Sequence, residues 1–150
     1  MTSHLPLADQ VVLVTGASAG IGLLTARRAA ARGAAVVLVS RDETVLKRLA
    51  HEIESGGGRA LAVVADVAVE SEVDAAANAA TARFGRVDTW VNNAGTAAYC
   101  RLVDLPLAEH RRIFETNYWG VVHGSLAAIR LFRARGGRGT LVNVGSVNSD

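Results

Sequence analysis

The sequence predicts a doubly wound α/β fold, in which a parallel sheet is covered by helices on both faces. Two observations carry that expectation. Short valine-rich apolar runs recur along the 150 residues without the alternation that a half-exposed strand would show. Between them lie alanine-rich stretches of helical length, joined by short turns of glycine and polar residues.

Residues 11–15 (VVLVT) form the first strand, continuous and β-branched as a strand buried on both faces requires. A helix over 20–32 follows, with Ile21, Leu24 and Ala29 on one side, Arg27, Arg28 and Arg32 elsewhere, and Gly33 ending it. The second strand is 35–39, and Asp42 caps a helix running to about residue 54. Ser55-Gly56-Gly57-Gly58 releases the chain into a third strand, 60–65. A helix over 69–84 is stopped by Gly85, and 87–91 is the fourth strand. Pro106, favourable in a first turn, opens one long helix over 107–135. On it Ile113, Asn117, Val121 and Ser125 share a face at four-residue spacing. Gly136, Gly137 and Gly139 lead into a fifth strand, 140–144. No linker and no second domain interrupt this alternation, so residues 1–150 read as one domain.

Composition narrows the function classes. Half the residues are hydrophobic and a fifth charged, which suits a globular chain and not a disordered one. The net charge of +2 is spread along the chain apart from a short arginine cluster at 133–138, so no nucleic-acid footprint is expected. Cys100 is the only cysteine, which excludes an internal disulfide and a cysteine-built zinc site. His4, His51, His110 and His123 lack metal-ligand spacing. The first ten residues lack the pattern of a signal peptide, and no apolar run reaches membrane-spanning length. A cytoplasmic protein that binds no membrane is the expectation.

Thr15-Gly16-Ala17-Ser18-Ala19-Gly20-Ile21-Gly22 falls between the first strand and the first helix. Gly16 lets the chain turn sharply, Gly20 leaves room for a pyrophosphate to approach the backbone, and Gly22 lets the helix pack closely on the strand. The helix start offers unpaired N–H groups and a positive dipole end to an anion. The spacing is GxxxGxG, and glycines alone also make tight turns, so the motif is read together with its neighbours.

TGASAGIG resembles the cofactor signature of the short-chain dehydrogenase/reductase family. Three further matches follow in the family's order: Asn92-Asn93-Ala94-Gly95 resembles its NNAG motif, Asn117 the asparagine of its long central helix, and Asn143-Val144-Gly145-Ser146 the stretch ending in its catalytic serine. The resemblance covers essentially the whole chain. It implies a Rossmann-like fold and a hydride transfer between a nicotinamide cofactor and a carbonyl or alcohol substrate of small-molecule size. For the complete protein, an assembly of identical chains is expected.

The second strand leads into Ser40-Arg41-Asp42. An acid at position 40 would hold both ribose hydroxyls and favour NAD(H); Ser40 cannot, and it does not repel a phosphate. Arg41 offers a charged fork to an adenosine 2′-phosphate, so NADP(H) is expected over NAD(H). Against this stand a solvated loop arginine, a ribose role for Asp42, and Ala19 where some NADP-using members carry a second basic residue. The resemblance implies that Asp66, with Val67 beside it, faces the adenine amino group; a helix N-cap before Val69 is the alternative. By the same resemblance the backbone of Asn93, Ala94 and Gly95 lines the cofactor.

The family pattern makes Ser146 and Asn117 the catalytic candidates, Ser146 positioning the carbonyl and Asn117 connecting a lysine to solvent through water. A satisfied core amide at Asn117 and a plain turn hydroxyl at Ser146 are the bland alternatives. The family's Tyr-x-x-x-Lys pair has no match here: Lys47 is the only lysine, and neither Tyr99 nor Tyr118 stands four residues before it. The pair would fall beyond Asp150, so the chain reads as the front portion of a longer enzyme, truncated after the fifth strand and inactive by itself. Two rivals remain at this point: a non-catalytic dinucleotide-binding module, favoured by the missing pair, and a lyase or epimerase on a related fold, disfavoured by NNAG and Asn117. Tyr99, Cys100 and Arg101 are weaker candidates for the substrate border.

Overall fold

Five strands run parallel in the order β3-β2-β1-β4-β5: β1 (Val11–Thr15), β2 (Ala35–Ser40), β3 (Arg59–Val64), β4 (Thr89–Asn92) and β5 (Thr140–Asn143). The structure, a computed structural model, describes residues 5–146. In register, Leu13 of β1 stands between Val37 of β2 and Trp90 of β4, and Val14 between Leu38 and Val91. Every residue of β1 and β2 is buried, because helices cover both faces of the sheet.

The period of two then divides the core. Leu13, Val37, Val39 and Trp90 pack with Ala76, Ala80, Ala127 and Phe132, which belong to helices α3 (Glu70–Phe84) and α5 (Gly120–Ala134). Val12, Val14, Val36 and Leu38 pack on the other side with Ala26, Ala29, Leu46 and Leu49, from helices α1 (Gly20–Ala31) and α2 (Glu43–Ser55). Strand side chains such as Leu13 and Leu38, each fully buried, contribute about 1.5–3 kcal/mol apiece. Helices α1, α3 and α5 meet them largely through alanine and glycine, which lets backbone approach sheet, whereas α2 uses Leu46, Leu49 and Ile53. At Gly124 of α5 an added Cβ would collide with Asn92 Oδ1 and come within 2.9 Å of Trp90 Nε1.

Helix limits follow from local chemistry. Asp42 Oδ1 accepts the Val45 N–H at 3.0 Å, capping α2 as its sequence position predicts. Gly85 adopts the left-handed conformation, φ 76°, and ends α3.

The long helix differs from expectation. Helix α4 (Leu107–Phe114) passes into a π-helical segment, Glu115–Trp119, before α5 begins. The Gly120 N–H bonds back to the Glu115 carbonyl, five residues earlier, so each side chain beyond is rotated relative to those before. Asn117 therefore leaves the apolar face that a uniform period assigned to it and is exposed, while Ser125 turns toward β4. Phe114 stacks on Tyr118 (ring centroids 4.8 Å apart) along the outer side of the same rod.

The opposite, N-terminal edge of the sheet is tied by Asp88, which is buried. Its carboxylate accepts the Val11 N–H at 2.9 Å, the Arg86 guanidinium, and both terminal nitrogens of Arg135 at 3.2 Å. Burial pushes this carboxyl up, but the Arg86 and Val11 hydrogen bonds and the charges of Arg86 and Arg135 outweigh it and hold it below its ordinary range. Among the described residues, no helix is long and apolar enough to cross a membrane.

Candidate functional site

Strand order reverses between β1 and β4, so the loops leaving their carboxyl ends diverge and open a cleft of about 560 Å³. The glycine turn forms one wall through Gly16, Ser18, Ala19, Gly20 and Ile21. Ser40, Arg41 and Asp42 close one end where β2 finishes, and Ala65, Asp66 and Val67 line it after β3. Asn93, Ala94, Gly95 and Thr96 after β4 form the opposite wall, with Thr116 above them.

Thr15 and Asn93 lock the two walls together. The Thr15 hydroxyl accepts the N–H groups of Asn93 (3.0 Å) and Ala94 (3.1 Å) and donates to the Val91 carbonyl at 3.3 Å. The Asn93 amide returns a bond to the Thr15 carbonyl at 2.9 Å. Thr15 is itself buried and supports the cleft from behind.

Two glycines are required by this closure. Gly16 sits at φ 66°, and a Cβ there would stand 2.8 Å from Ala94 Cα. At Gly22, buried under the turn, a Cβ would collide with the Gly16 carbonyl oxygen and the Asn93 amide nitrogen. Gly20, by contrast, faces open space. Ala19 is the N-cap of α1 and has no side chain with which to cap it, so the first turn of the helix keeps its donors for the cleft. Ile21 is 64% exposed on the same wall, an apolar side chain left in solvent at the mouth of the site.

At the far end Ser40 is buried, and its hydroxyl accepts the Asp42 N–H at 3.1 Å. Arg41 Nη1 lies 3.5 Å from Asp66 Oδ2. Asp66 caps no helix, contrary to the alternative that its position before Val69 suggested: Val69 is the N-cap residue of α3. Instead Asp66 Oδ1 accepts the Ala68 N–H at 3.0 Å, closing a local turn, and the Asp66 N–H donates to Glu72 at 2.7 Å. Val67 is buried beneath Gly120, and His123 Nδ1 lies 3.0 Å from its carbonyl oxygen.

The catalytic candidates, Asn117 and Ser146, stand outside that lining. Asn117 Oδ1 accepts the Thr96 N–H and its Nδ2 donates to the Thr96 carbonyl, both at 2.8 Å. It is thus no core amide; it clips the π-helical segment to the loop after NNAG. Ser146 is exposed beyond β5. Strand β5 is held there by Asn92, whose carbonyl accepts the Val144 N–H at 2.9 Å and whose amide donates to Asn143 Oδ1 at 2.9 Å and Ser125 Oγ at 3.1 Å. Neither Asn117 nor Ser146 lines the cleft itself. Tyr99 and Cys100 are exposed, and Arg101 pairs with Asp104 at 2.6 Å, so this trio does not reach the cleft wall either.

Sequence reasoning missed Thr96, Thr116 and Asn92. Asn92 stood inside a motif already recognised, and its place on β4, facing α5, was the available signal. No cluster of metal-ligating groups occurs among the described residues; His4 lies outside them.

The sequence model of the short-chain dehydrogenases matches residues 10–150. The chain belongs to the short-chain dehydrogenase family. Among short-chain dehydrogenase relatives, it is 46% identical over 144 residues to the "Uncharacterized oxidoreductase YxnA" of Bacillus subtilis, covering 96% of this chain and 40% of that protein. A short-chain type dehydrogenase/reductase from Mycobacterium marinum superposes with a TM-score of 0.88 at 36% identity, covering 93% of this chain and 57% of its own. A gluconate 5-dehydrogenase from Burkholderia cenocepacia, solved in complex with NADP and tartrate, superposes at 0.86 with 35% identity, covering 95% and 55%. The chain therefore spans about half the length of the short-chain dehydrogenases it matches, 40–57% of each.

Proposed function

We propose that the protein is an NADP(H)-dependent oxidoreductase that moves a hydride between the nicotinamide ring and a carbonyl or alcohol of a small molecule. The observation that carries the reading is the cleft at the strand-order reversal, with a glycine-built anion cradle in its middle and Arg41 beside an uncharged Ser40 at one end.

The residues present fit a dinucleotide. The uncapped first turn of α1 directs its N–H groups at a pyrophosphate, and Ser18 adds a hydroxyl. Ile21 covers an apolar part of the ligand, which gives its exposure a purpose. Asp66 and Val67 receive the adenine, and the backbone of Asn93, Ala94 and Gly95 borders the ribose and nicotinamide side. Bound nicotinamide supplies or accepts the hydride. Ser146 holds the substrate oxygen by a hydrogen bond, and Asn117, fixed on Thr96, orders the polar surroundings. Membership of a family whose named relatives are oxidoreductases, and a similar structure carrying NADP, support this reading.

Titration with NADPH and NADH, followed by calorimetry, tests it. NADPH binds the wild type more tightly. Arg41→Ala weakens NADPH about tenfold or more, the scale of a lost charge-assisted bond, and leaves NADH within about twofold. Tighter binding of NADH by the wild type overturns the assignment.

A further inference from the structure

We propose that Asp66 sets the cofactor preference of this protein by competing with the adenosine 2′-phosphate for Arg41. The inference rests on the NADP(H) reading and adds a determinant that lies outside the second strand.

The adenosine end of the cleft carries one cation and two acids: Arg41, Asp42 and Asp66. Asp42 is committed to α2, where its carboxylate caps the helix at Val45. Asp66 is committed to a fixed orientation, since Oδ1 accepts the Ala68 N–H at 3.0 Å and its own N–H is held by Glu72. That leaves Oδ2 facing Arg41, 3.5 Å from Nη1. The two partners differ in freedom. The Arg41 side chain is 63% exposed and Asp66 31%, so the arginine swings while the carboxylate stays.

A 2′-phosphate brings its own charge to Arg41, the one cation among the described residues lining this end, and it must draw Arg41 off Asp66 to make a forked contact. NADH carries no such group and leaves the pair intact. Asp66 therefore taxes NADPH selectively, while any contact it makes with adenine is common to both cofactors and cancels in their ratio.

The test is calorimetric titration of the intact protein with NADPH and NADH, in the wild type, Asp66→Asn, Arg41→Ala and the double variant. Asparagine keeps the oxygen that accepts from Ala68 and loses the charge; Asp66→Ser, also a short acceptor, serves if Asp66→Asn fails to fold. Asp66→Asn raises the NADPH-to-NADH affinity ratio roughly twofold to fivefold, the range of an exposed ion pair released. Most of that rise disappears in the Arg41→Ala background. An unchanged ratio, or an equal rise with and without Arg41, overturns the proposal while leaving a wild type that prefers NADPH intact. A wild type that prefers NADH overturns both.

Discussion

The Thr15 hydroxyl accepts two consecutive backbone N–H groups, those of Asn93 and Ala94, while the Asn93 amide bonds back to the Thr15 carbonyl. One residue ends β1 and the other follows β4, so this reciprocal contact fixes how far the two loops stand apart.

Thr15→Val keeps the side-chain shape and removes that acceptor, stranding two N–H groups in a largely enclosed place. A loss of roughly 2–4 kcal/mol is expected on the usual cost of unsatisfied donors, read from urea unfolding. NADPH affinity falls as well, because the far wall is no longer held. A Thr15→Val protein with wild-type unfolding and binding would show that the contact is incidental.

Gly22→Ala and Gly20→Ala separate packing from conformation. At Gly22 the new methyl meets the Gly16 carbonyl and the Asn93 amide, so the turn must shift, costing about 1–3 kcal/mol and much of the NADPH affinity. At Gly20 the methyl meets nothing, and only the positive φ of 50° is penalised, about 1 kcal/mol. Equal losses at the two sites would contradict this account.

Asp88 makes stability depend on pH in one direction. Its folded pKa is lowered from the ordinary 3.8, so the unfolded chain takes up the proton first as pH falls. The contribution is complete above about pH 5, declines as pH drops through the ordinary value, and is gone below the folded pKa. Asp88→Asn flattens the acid limb of an unfolding-free-energy profile and costs roughly 2–4 kcal/mol at pH 7, since Arg86 and Arg135 lose the negative charge they share. A profile with the same acid slope in wild type and variant would assign the dependence to other carboxylates.

Asn117→Ala distinguishes a functional clip from a structural one. Both of its hydrogen bonds lie in an exposed region, so the melting free energy changes by less than about 1 kcal/mol. NADPH affinity falls by a larger factor, because Asn117 holds Thr96 on the cleft wall. A loss of several kcal/mol without any specific effect on NADPH binding would make Asn117 a scaffold residue.

The strands and the glycine turn were legible because each has a local signature. Apolar runs such as 11–15 and 35–39 need both faces covered, and Gly16 and Gly22 need the absence of a Cβ. The caps were equally plain at Asp42 and Gly85. The π-helical segment was not, because a hydrogen bond shifted by one residue leaves no mark on composition, and the uniform period then misplaced Asn117. Nor could spacing show that Arg41 meets Asp66, or that Asn92 reaches Asn143: those partners are brought together by sheet order.

The two edges of the sheet answer differently to their surroundings. The Asp88 edge is held by charge, whereas the Thr15–Asn93 edge is held by neutral hydroxyl and amide bonds. Amide exchange recorded along an acid titration therefore has a polarity: protection fades first around Val11 and Thr140, where the strands begin, and persists around Ala94, where they end. Acid therefore loosens the base of β1 before it reaches the neutral Thr15–Asn93 clasp between the two cleft walls.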